Sequence, residues 1–439
     1  MSYEPLLLNE EQEWIGEWWL SDEPGRRIPG ILKYDGKGGI RLKLIGVLED
    51  EELWVLKGEN NLSSKKAWKV IYGVAQNREI SLLNPVPLGL QCTVGGRVKS
   101  PAIQTVLIER ALIGAHVSGE DKKIFNAAEV SFEDLGAWAS TEECSVNVSG
   151  FDYCLCRHVS DKFDTRKGWD VYSRQEKVFI KIIPEKMFSL DDALEQVRKL
   201  HSLVAIATHS SAGVISLSLK LPVNEQTSPN SRPVFDRLVN VLYSPIVIGN
   251  CSAKGLRDYH MLFDNTILSF EKVVPSWLKM YSKFKGAINP ILSIRFTSGN
   301  FIENDILIAV TAAEALSKAL PNAKCGRKSC LRARLSDLTG HLNEKVVSKL
   351  ISDSDYWCKE TPKVRNALAH GNDPSRKAPK KTLAELDAIA RVTTMVVIFN
   401  LLNELGVSVE HQLKIIDQHP EVKKASWFAR EYLKKTQSD

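Results

Sequence analysis

The chain has 439 residues, of which 44% are hydrophobic and 25% charged, and its formal net charge is +5. This composition is typical of globular domains and excludes a largely disordered, collagen-like or coiled-coil chain. At about 100–200 residues per domain, the length predicts two or three domains, and the small net charge does not identify a partner.

The first half of the chain is predicted to be β-rich. Its clearest signal is a hairpin in which the alternating runs 28–34 and 40–48 flank the turn sequence Asp35-Gly-Lys-Gly-Gly39. In the second run Ile40, Leu42 and Leu44 fall on one face. Ser189 is predicted to cap a helix over 190–200. Further strand-like runs are 53–56, 68–74, 104–113, 178–183, 214–221 and 245–248.

Tryptophan is concentrated in this β-rich half. Seven of the ten tryptophans precede residue 170, and Trp14, Trp18 and Trp19 stand just before the hairpin. Such residues form either the aromatic core of a sheet or a flat platform for stacking bases or sugars. We favour the core, because no convergent polar residues accompany them.

From about residue 273 onward, helical periodicity replaces the alternating pattern. The chain is therefore divided into a β-rich domain over 1–272 and a helical domain over 273–439. The segment 383–405 is apolar on nearly all sides, which places it at the centre of a helical bundle or in a subunit interface. The other predicted helices are 274–284, 301–320, 331–338, 345–351 and 421–433.

Several compartments and site classes have no support in the sequence. No run approaches about 18 consecutive apolar residues, and the acidic N-terminus lacks the features of a signal peptide. Eight cysteines fit reduced thiols, so we expect a cytoplasmic protein. Motifs of P-loop ATPases, zincins and α/β-hydrolases are missing.

One group of soft metal donors occurs in the β-rich half. Cys154, Cys156 and His158 alternate, so a strand would place all three on one face. A structural zinc site usually needs a fourth ligand and wider spacing. Free cysteine is favoured over a metal site, here and at Cys325 and Cys330, and we predict no cofactor.

Two basic stretches distinguish the helical half. Residues 321–336 carry five basic residues and no acid, and residues 359–381 carry seven basic and two acidic residues. Such stretches usually form solvated surface, but two of them close together would attract a polyanion.

The second stretch contains the sequence Thr361-Pro-Lys-Val-Arg365-Asn366-Ala-Leu-Ala-His370-Gly. Thr361 is predicted to cap a short helix that begins at Pro362 and ends before the glycine. An always-charged guanidinium and an imidazole that titrates near neutral pH are the groups that cleavage of an RNA phosphodiester requires.

The spacing of this pair is not specific by itself. Arg110 and His116, and Arg334 and His341, have similar separations, but only Arg365 is followed by a polar residue and flanked by basic loops. Residues five apart on a helix lie about 140° apart around its axis. Either the helix loosens before the histidine, or a second copy of the helix completes the site, which predicts a two-fold dimer.

The order of these segments resembles the ApeA family of anti-phage proteins. Arg365, Asn366 and His370 match the Arg-polar-x(n)-His motif of its HEPN domain, which is a helical ribonuclease domain. The segments 301–316 and 331–338 resemble the helices before that motif, and 16–20, 29–34 and 40–46 resemble the opening of the β-rich N-terminal domain. The resemblance implies an α+β multidomain fold, with a mainly antiparallel β domain followed by an all-α HEPN bundle.

The resemblance also implies an activity and a set of site residues. HEPN proteins of this kind are metal-independent endoribonucleases that dimerise and act as toxins in abortive infection. His370 would be the acid and base, Arg365 the phosphate clamp, Asn366 an orienting residue, and Glu314 the group that holds Arg365. RNA would contact Lys363, Arg327, Lys328, Arg332, Arg334, Arg376 and Lys377.

The expected partners are RNA, a second copy of the chain through the HEPN domain, and a phage-encoded trigger at the β domain, with no membrane. Two other interpretations remain. The helical domain could be a non-catalytic HEPN module that binds RNA or a protein, or Arg365 and His370 could simply end a surface helix.

Overall fold

A computed structural model describes residues 5–49, 68–91, 101–139, 142–166, 169–222, 236–250, 256, 258–297, 299–321, 329–370 and 381–434. Contacts within the chain divide it into two compact units. The β unit comprises Met1–Glu133, Asn147–Arg198 and Gly213–Ala253. The helical unit comprises Asp134–Val146, Lys199–Ala212 and Lys254–Asp439. The predicted domain boundary after residue 272 stays a prediction.

The strands form one antiparallel sheet in the order β10-β11-β12-β9-β13-β14-β8-β5-β4-β1-β2-β3-β7-β6. This confirms the predicted antiparallel β fold of the N-terminal region. The strands are β1 (Glu11–Leu20), β2 (Ile28–Asp35), β3 (Ile40–Ile45), β4 (Val70–Ala75), β5 (Arg78–Leu83), β6 (Val86–Gln91), β7 (Ile103–Ile108), β8 (Arg110–Ile113), β9 (Ala127–Phe132), β10 (Cys144–Val148), β11 (Phe151–Arg166), β12 (Trp169–Pro184), β13 (Val214–Leu221) and β14 (Arg237–Leu242).

The predicted hairpin is confirmed by the pairing of β2 with β3. Tyr34 pairs with Ile40, and the intervening turn is closed by Asp35, whose Oδ1 accepts hydrogen bonds from the N–H groups of Lys37 and Gly39, each at 2.8 Å. Gly38 has φ +94°, a left-handed conformation that suits glycine. The local turn sequence therefore fixes the register of the two strands.

The aromatic core favoured from the sequence is also confirmed. Trp14, Trp18 and Trp19 belong to β1 and are 3%, 0% and 5% exposed. A platform for stacking would need exposed rings, so these residues serve the packing of the β unit.

Other strand predictions were wrong in detail. The run 104–113 is split into β7 and β8, and residues 245–248 contribute only an isolated bridge, between Val214 and Ile248. The run 53–56 lies outside the described residues. The strands β1, β5, β6, β9, β10, β11 and β14 were missed. Of these, β5 and β9 are mostly buried, and a short strand buried on both faces shows no alternation.

The helices include the predicted bundle. They are α1 (Leu135–Trp138), α2 (Leu190–Thr208), α3 (Phe270–Phe296), α4 (Ile302–Ala319), α5 (Leu331–His341), α6 (Glu344–Leu350), α7 (Ser354–Ala369), α8 (Leu383–Leu405), α9 (Val409–Gln418) and α10 (Pro420–Tyr432). The predicted Ser189 cap is confirmed, since its Oγ accepts from the Asp192 N–H at 3.1 Å. The central position of α8 is confirmed too, because it is buried along its length and contacts α3, α4, α5 and α10.

Two helix predictions need correction. The predicted helix 301–320 begins with the apolar Phe301, but this residue is the N-cap of α4 and is 76% exposed. Helix α9 was not predicted from the sequence. None of the helices in the described part of the chain has the length and apolarity to cross a bilayer.

Candidate functional site

Helix α7 carries the Arg–Asn–His motif, but it begins earlier than predicted. The Asp353 carboxylate accepts a hydrogen bond from the Tyr356 N–H at 2.9 Å and caps the helix. Thr361 and Pro362 therefore lie inside the helix, and their predicted role as its start is wrong. Pro362 lacks an N–H group, so the helix loses one backbone hydrogen bond there. Burial of the Trp357 side chain in the bundle helps to offset this loss.

The C-terminal end of α7 presents His370 to solvent. Its N–H donates to the Asn366 carbonyl at 3.2 Å, and its backbone has φ −98° and ψ 9°. The helix is regular up to Ala369, so the loosened helix considered from the sequence is not observed. His370 is the C-cap residue, and side chains five residues apart on an ideal helix lie about 140° apart around its axis.

Arg365 lies half-buried on α7 beside the exposed Asn366. Its Nη1 donates to Asn366 Oδ1 at 3.2 Å. Among the described residues, no carboxylate lies within ion-pair distance of this guanidinium. Its other N–H donors are therefore available to an anion.

Glu314 on α4 lies in the electric field of three cations. Its Oε1 is 2.7 Å from Lys318 Nζ and 4.0 Å from Arg334 Nε. The hydrogen bond from Lys318, and then the charges of Lys318, Arg334 and Arg365, hold the pKa of this carboxyl below its usual value. Its short contact is with Lys318, so the expected role of holding Arg365 stays a prediction that rests on charge at longer range.

The residues expected to bind RNA divide into three groups. Lys363 and Arg332 are exposed, and Lys363 pairs with Glu360 at 2.7 Å. Arg334 is only 3% exposed, so a phosphate at the surface of the unit could not reach it, and we remove it from the RNA-binding set. The remaining four, Arg327, Lys328, Arg376 and Lys377, lie outside the described residues.

Lys381 has a structural role that the sequence did not reveal. Its Nζ lies 3.0 Å from Tyr356 Oη, 3.1 Å from Glu385 Oε1 and 3.5 Å from Glu360 Oε2, and its side chain is 4% exposed. Burial alone would lower its pKa, but the hydrogen bonds with Tyr356 and Glu385 raise it overall. This lysine ties α7 to the start of α8. The capping box formed by Thr382 and Glu385 is a sequence motif that predicts the start of α8.

The possible metal donors lie on β11. Cys154, Cys156 and His158 alternate along this strand and so share a face, as predicted. Burial raises the pKa of the Cys154 thiol, which opposes the thiolate that a metal requires. No cluster of three or more potential metal ligands occurs within the described ranges of the chain.

Comparison with known families agrees with this arrangement. The family model of ApeA N-terminal domain 1 matches residues 13–277, which is more than half of the chain. The chain belongs to the ApeA family. The model of the ApeA-like HEPN domain matches residues 300–411 and so includes Glu314, Arg365, Asn366 and His370. Neither the curated proteins nor the solved structures gave a match.

The HEPN match of this ApeA protein begins just before α4 and ends within α9. A HEPN domain of this type indicates a nuclease and anti-phage role. The last helix, α10, lies outside the matched segment.

Proposed function

We propose that this ApeA protein is an anti-phage endoribonuclease that cleaves cellular RNA without a metal and thereby aborts infection. The observation that carries the proposal is the end of α7, where the exposed imidazole of His370 follows the guanidinium of Arg365, whose donors no described carboxylate engages. The sequence motif, the helix end and the family match all fall on these residues.

The chemistry follows from the two groups. One imidazole takes the proton of a ribose 2′-hydroxyl, whose oxygen attacks the adjacent phosphorus, and the bond to the 5′-oxygen breaks. A protonated imidazole gives a proton to that leaving oxygen, and the products are a 2′,3′-cyclic phosphate and a 5′-hydroxyl. Arg365 stabilises the charge on the phosphorane through paired N–H donors, and Asn366 Oδ1 orients its Nη1.

The directions of Arg365 and His370 support a site shared by two chains. On one regular helix they lie about 140° apart, so one phosphate does not easily contact both. A two-fold axis beside α7 would bring the arginine of one protomer to the histidine of the other. We therefore propose a homodimer or a higher oligomer through the HEPN domain.

Other parts of the chain take supporting roles in this proposal. Lys363 and Arg332 attract the RNA backbone, and Glu314 orders the nearby cations. The β unit would sense a phage-encoded trigger and control the nuclease.

The test is RNA cleavage and toxicity in cells that carry His370→Ala. We expect this variant to fold normally but to lose both activities, while the matched control His158→Ala, at an exposed histidine of β11, keeps them. Cleavage that persists in His370→Ala would refute the assignment. RNA binding by the wild type, without cleavage under any triggering condition, would favour the non-catalytic HEPN module.

A mixing experiment tests the shared site. Arg365→Ala and His370→Ala chains, each inactive alone, would form mixed dimers in which one site has both wild-type groups. Recovered cleavage on mixing supports a site built from two chains. Two inactive variants that stay inactive after subunit exchange would contradict it.

A further inference from the structure

Helix α10 carries an aromatic cluster of one exposed ring and two half-buried rings that the proposed chemistry does not use. Trp427 is 47% exposed, and its ring centroid lies 5.1 Å from that of Phe428 and 6.0 Å from that of Tyr432. The Phe428 and Tyr432 rings are 5.5 Å apart. A large exposed aromatic group usually marks a binding surface.

This cluster does not belong to the packing face of the helix. Val422, Ala425 and Ala429 are the residues of α10 that are 0% exposed, and the helix contacts α8, α9 and α6. The aromatic rings follow a different stripe, in which Phe428 and Tyr432 are one turn apart. The bundle therefore does not account for the exposure of Trp427.

Cations lie beside these aromatic rings. The Nζ of Lys424 and the Cζ of Arg391 each lie 5.7 Å from the Phe428 ring centroid. Exposed basic residues also lie one turn from Trp427 on α10 and just after the end of this helix. They are Lys423, Lys424, Arg430 and Lys434. Glu431 is the acidic residue among them, and no described carboxylate pairs with any of these four cations.

We infer that this surface, defined as the α10 platform of Lys423, Lys424, Trp427, Phe428 and Tyr432, binds single-stranded RNA. Aromatic rings stack on bases of any sequence, and flanking lysines contact the phosphates. A duplex hides the faces of its bases, so the platform selects unpaired segments. The aromatic rings alone would also suit a protein partner, but the flanking lysines favour RNA, because lysine is depleted at protein–protein interfaces and contacts phosphates on single strands.

The inference rests on the proposed function in one respect, namely that RNA is the ligand. It adds a binding site outside the HEPN match, which ends at residue 411. The platform would hold an unpaired stretch of RNA while another part of the strand is cleaved.

The test is RNA binding by the full chain in the His370→Ala background, so that RNA stays intact. The ligands are a labelled oligouridine and a labelled abasic oligonucleotide of equal length. Their binding is measured by fluorescence anisotropy. Trp427→Ala should weaken oligouridine binding about 5- to 150-fold, the loss of one stacked base. Trp427→Phe should lose less oligouridine affinity than Trp427→Ala. The abasic strand should bind the variants and the Trp427 protein almost equally.

Two further variants sharpen the test. Phe301→Ala removes an aromatic group that is 76% exposed but belongs to the start of α4, and it should leave binding unchanged. Lys424→Ala should reduce the slope of log K against log salt concentration by about 0.7, the value for one phosphate contact on a single strand.

The outcomes separate the two proposals. Unchanged oligouridine affinity in Trp427→Ala, or an equal loss on the abasic strand, overturns the platform. So does a change in oligomeric state by sedimentation without a change in RNA affinity, because the surface would then contact a second copy. A wild-type chain that cuts no RNA under any triggering condition refutes the nuclease, whereas loss of oligouridine binding in Trp427→Ala would still support the platform.

Discussion

Two buried imidazoles should make the helical unit sensitive to acid. His209 and His419 are 6% and 3% exposed, and their ring centroids are 4.7 Å apart. Burial, helped by the charge of Arg295, lowers the pKa of His209 to about 3. Burial also lowers the pKa of His419 to about 4, although its ring hydrogen-bonds the His260 carbonyl.

The sign of the effect follows from where each state takes up protons. An unfolded histidine binds a proton below its ordinary pKa of about 6.5, whereas these two folded histidines stay neutral until the pH is much lower. The contribution of these histidines to the free energy of unfolding is therefore fully present above the unfolded pKa of about 6.5. It is lost as the pH falls from there towards the folded pKa values. Between about pH 8 and about pH 5, proton linkage predicts a loss of about 2 kcal/mol for each histidine.

Asparagine is the substitution that isolates this effect. His209 has φ +52°, which asparagine tolerates, and His419 caps α10 through its side chain, a role that asparagine also fills. Urea unfolding of the wild type, His209→Asn and His419→Asn at both pH values gives the free energies. In each variant, the difference in unfolding free energy between the two pH values should be smaller by about 2 kcal/mol.

The comparison uses differences between pH values, so any structural cost of a substitution at neutral pH cancels. Carboxyl groups that do not contact either histidine contribute equally to the wild type and the variants. Glu421 is the exception, because the hydrogen bond with His209 lowers its pKa, but its ion pair with Arg295 remains in both variants. An equal pH dependence in all three proteins would refute the reasoning, because it would mean that these imidazoles are not held neutral by burial.

Two further predictions concern buried contacts in each unit. Lys381→Met should lower the free energy of unfolding, measured in urea, by about 2–3 kcal/mol, because it leaves the buried carboxylate of Glu360 with one cation fewer. The double variant Lys381→Met/Glu360→Gln should regain part of that loss, because it also removes the buried charge. Gly73→Ala should lower the free energy of unfolding by about 1–3 kcal/mol, because its new Cβ would clash with Cε3 of the buried Trp18. The control Gly89→Ala, with no atom within 4 Å of its new Cβ, should cost less. A stable Lys381→Met protein, or equal losses at the two glycines, would contradict these expectations.

The sequence determined those features that depend on neighbouring residues. The hairpin around Asp35 was predictable, because its turn residues and the alternation of 40–44 act locally. The bounds of α8 were predictable for the same reason, since an apolar run with a capping box marks its start. The identity of Arg365, Asn366 and His370 as candidate site residues also came from the sequence, through the polar residue after the arginine, the flanking basic stretches and the family resemblance.

Tertiary structure decided which charges and helix ends are used. The sequence predicts Lys381 and Arg334 as surface cations, yet both side chains are buried. Each lies near a carboxylate from a distant part of the chain, Glu360 for Lys381 and Glu314 for Arg334. Helix α7 likewise starts at Ser354 although Thr361 and Pro362 form a good local N-cap signal, because the longer helix buries Trp357. Sequence patterns report the preferences of the local backbone, whereas burial and ion pairing depend on residues that only the fold brings together.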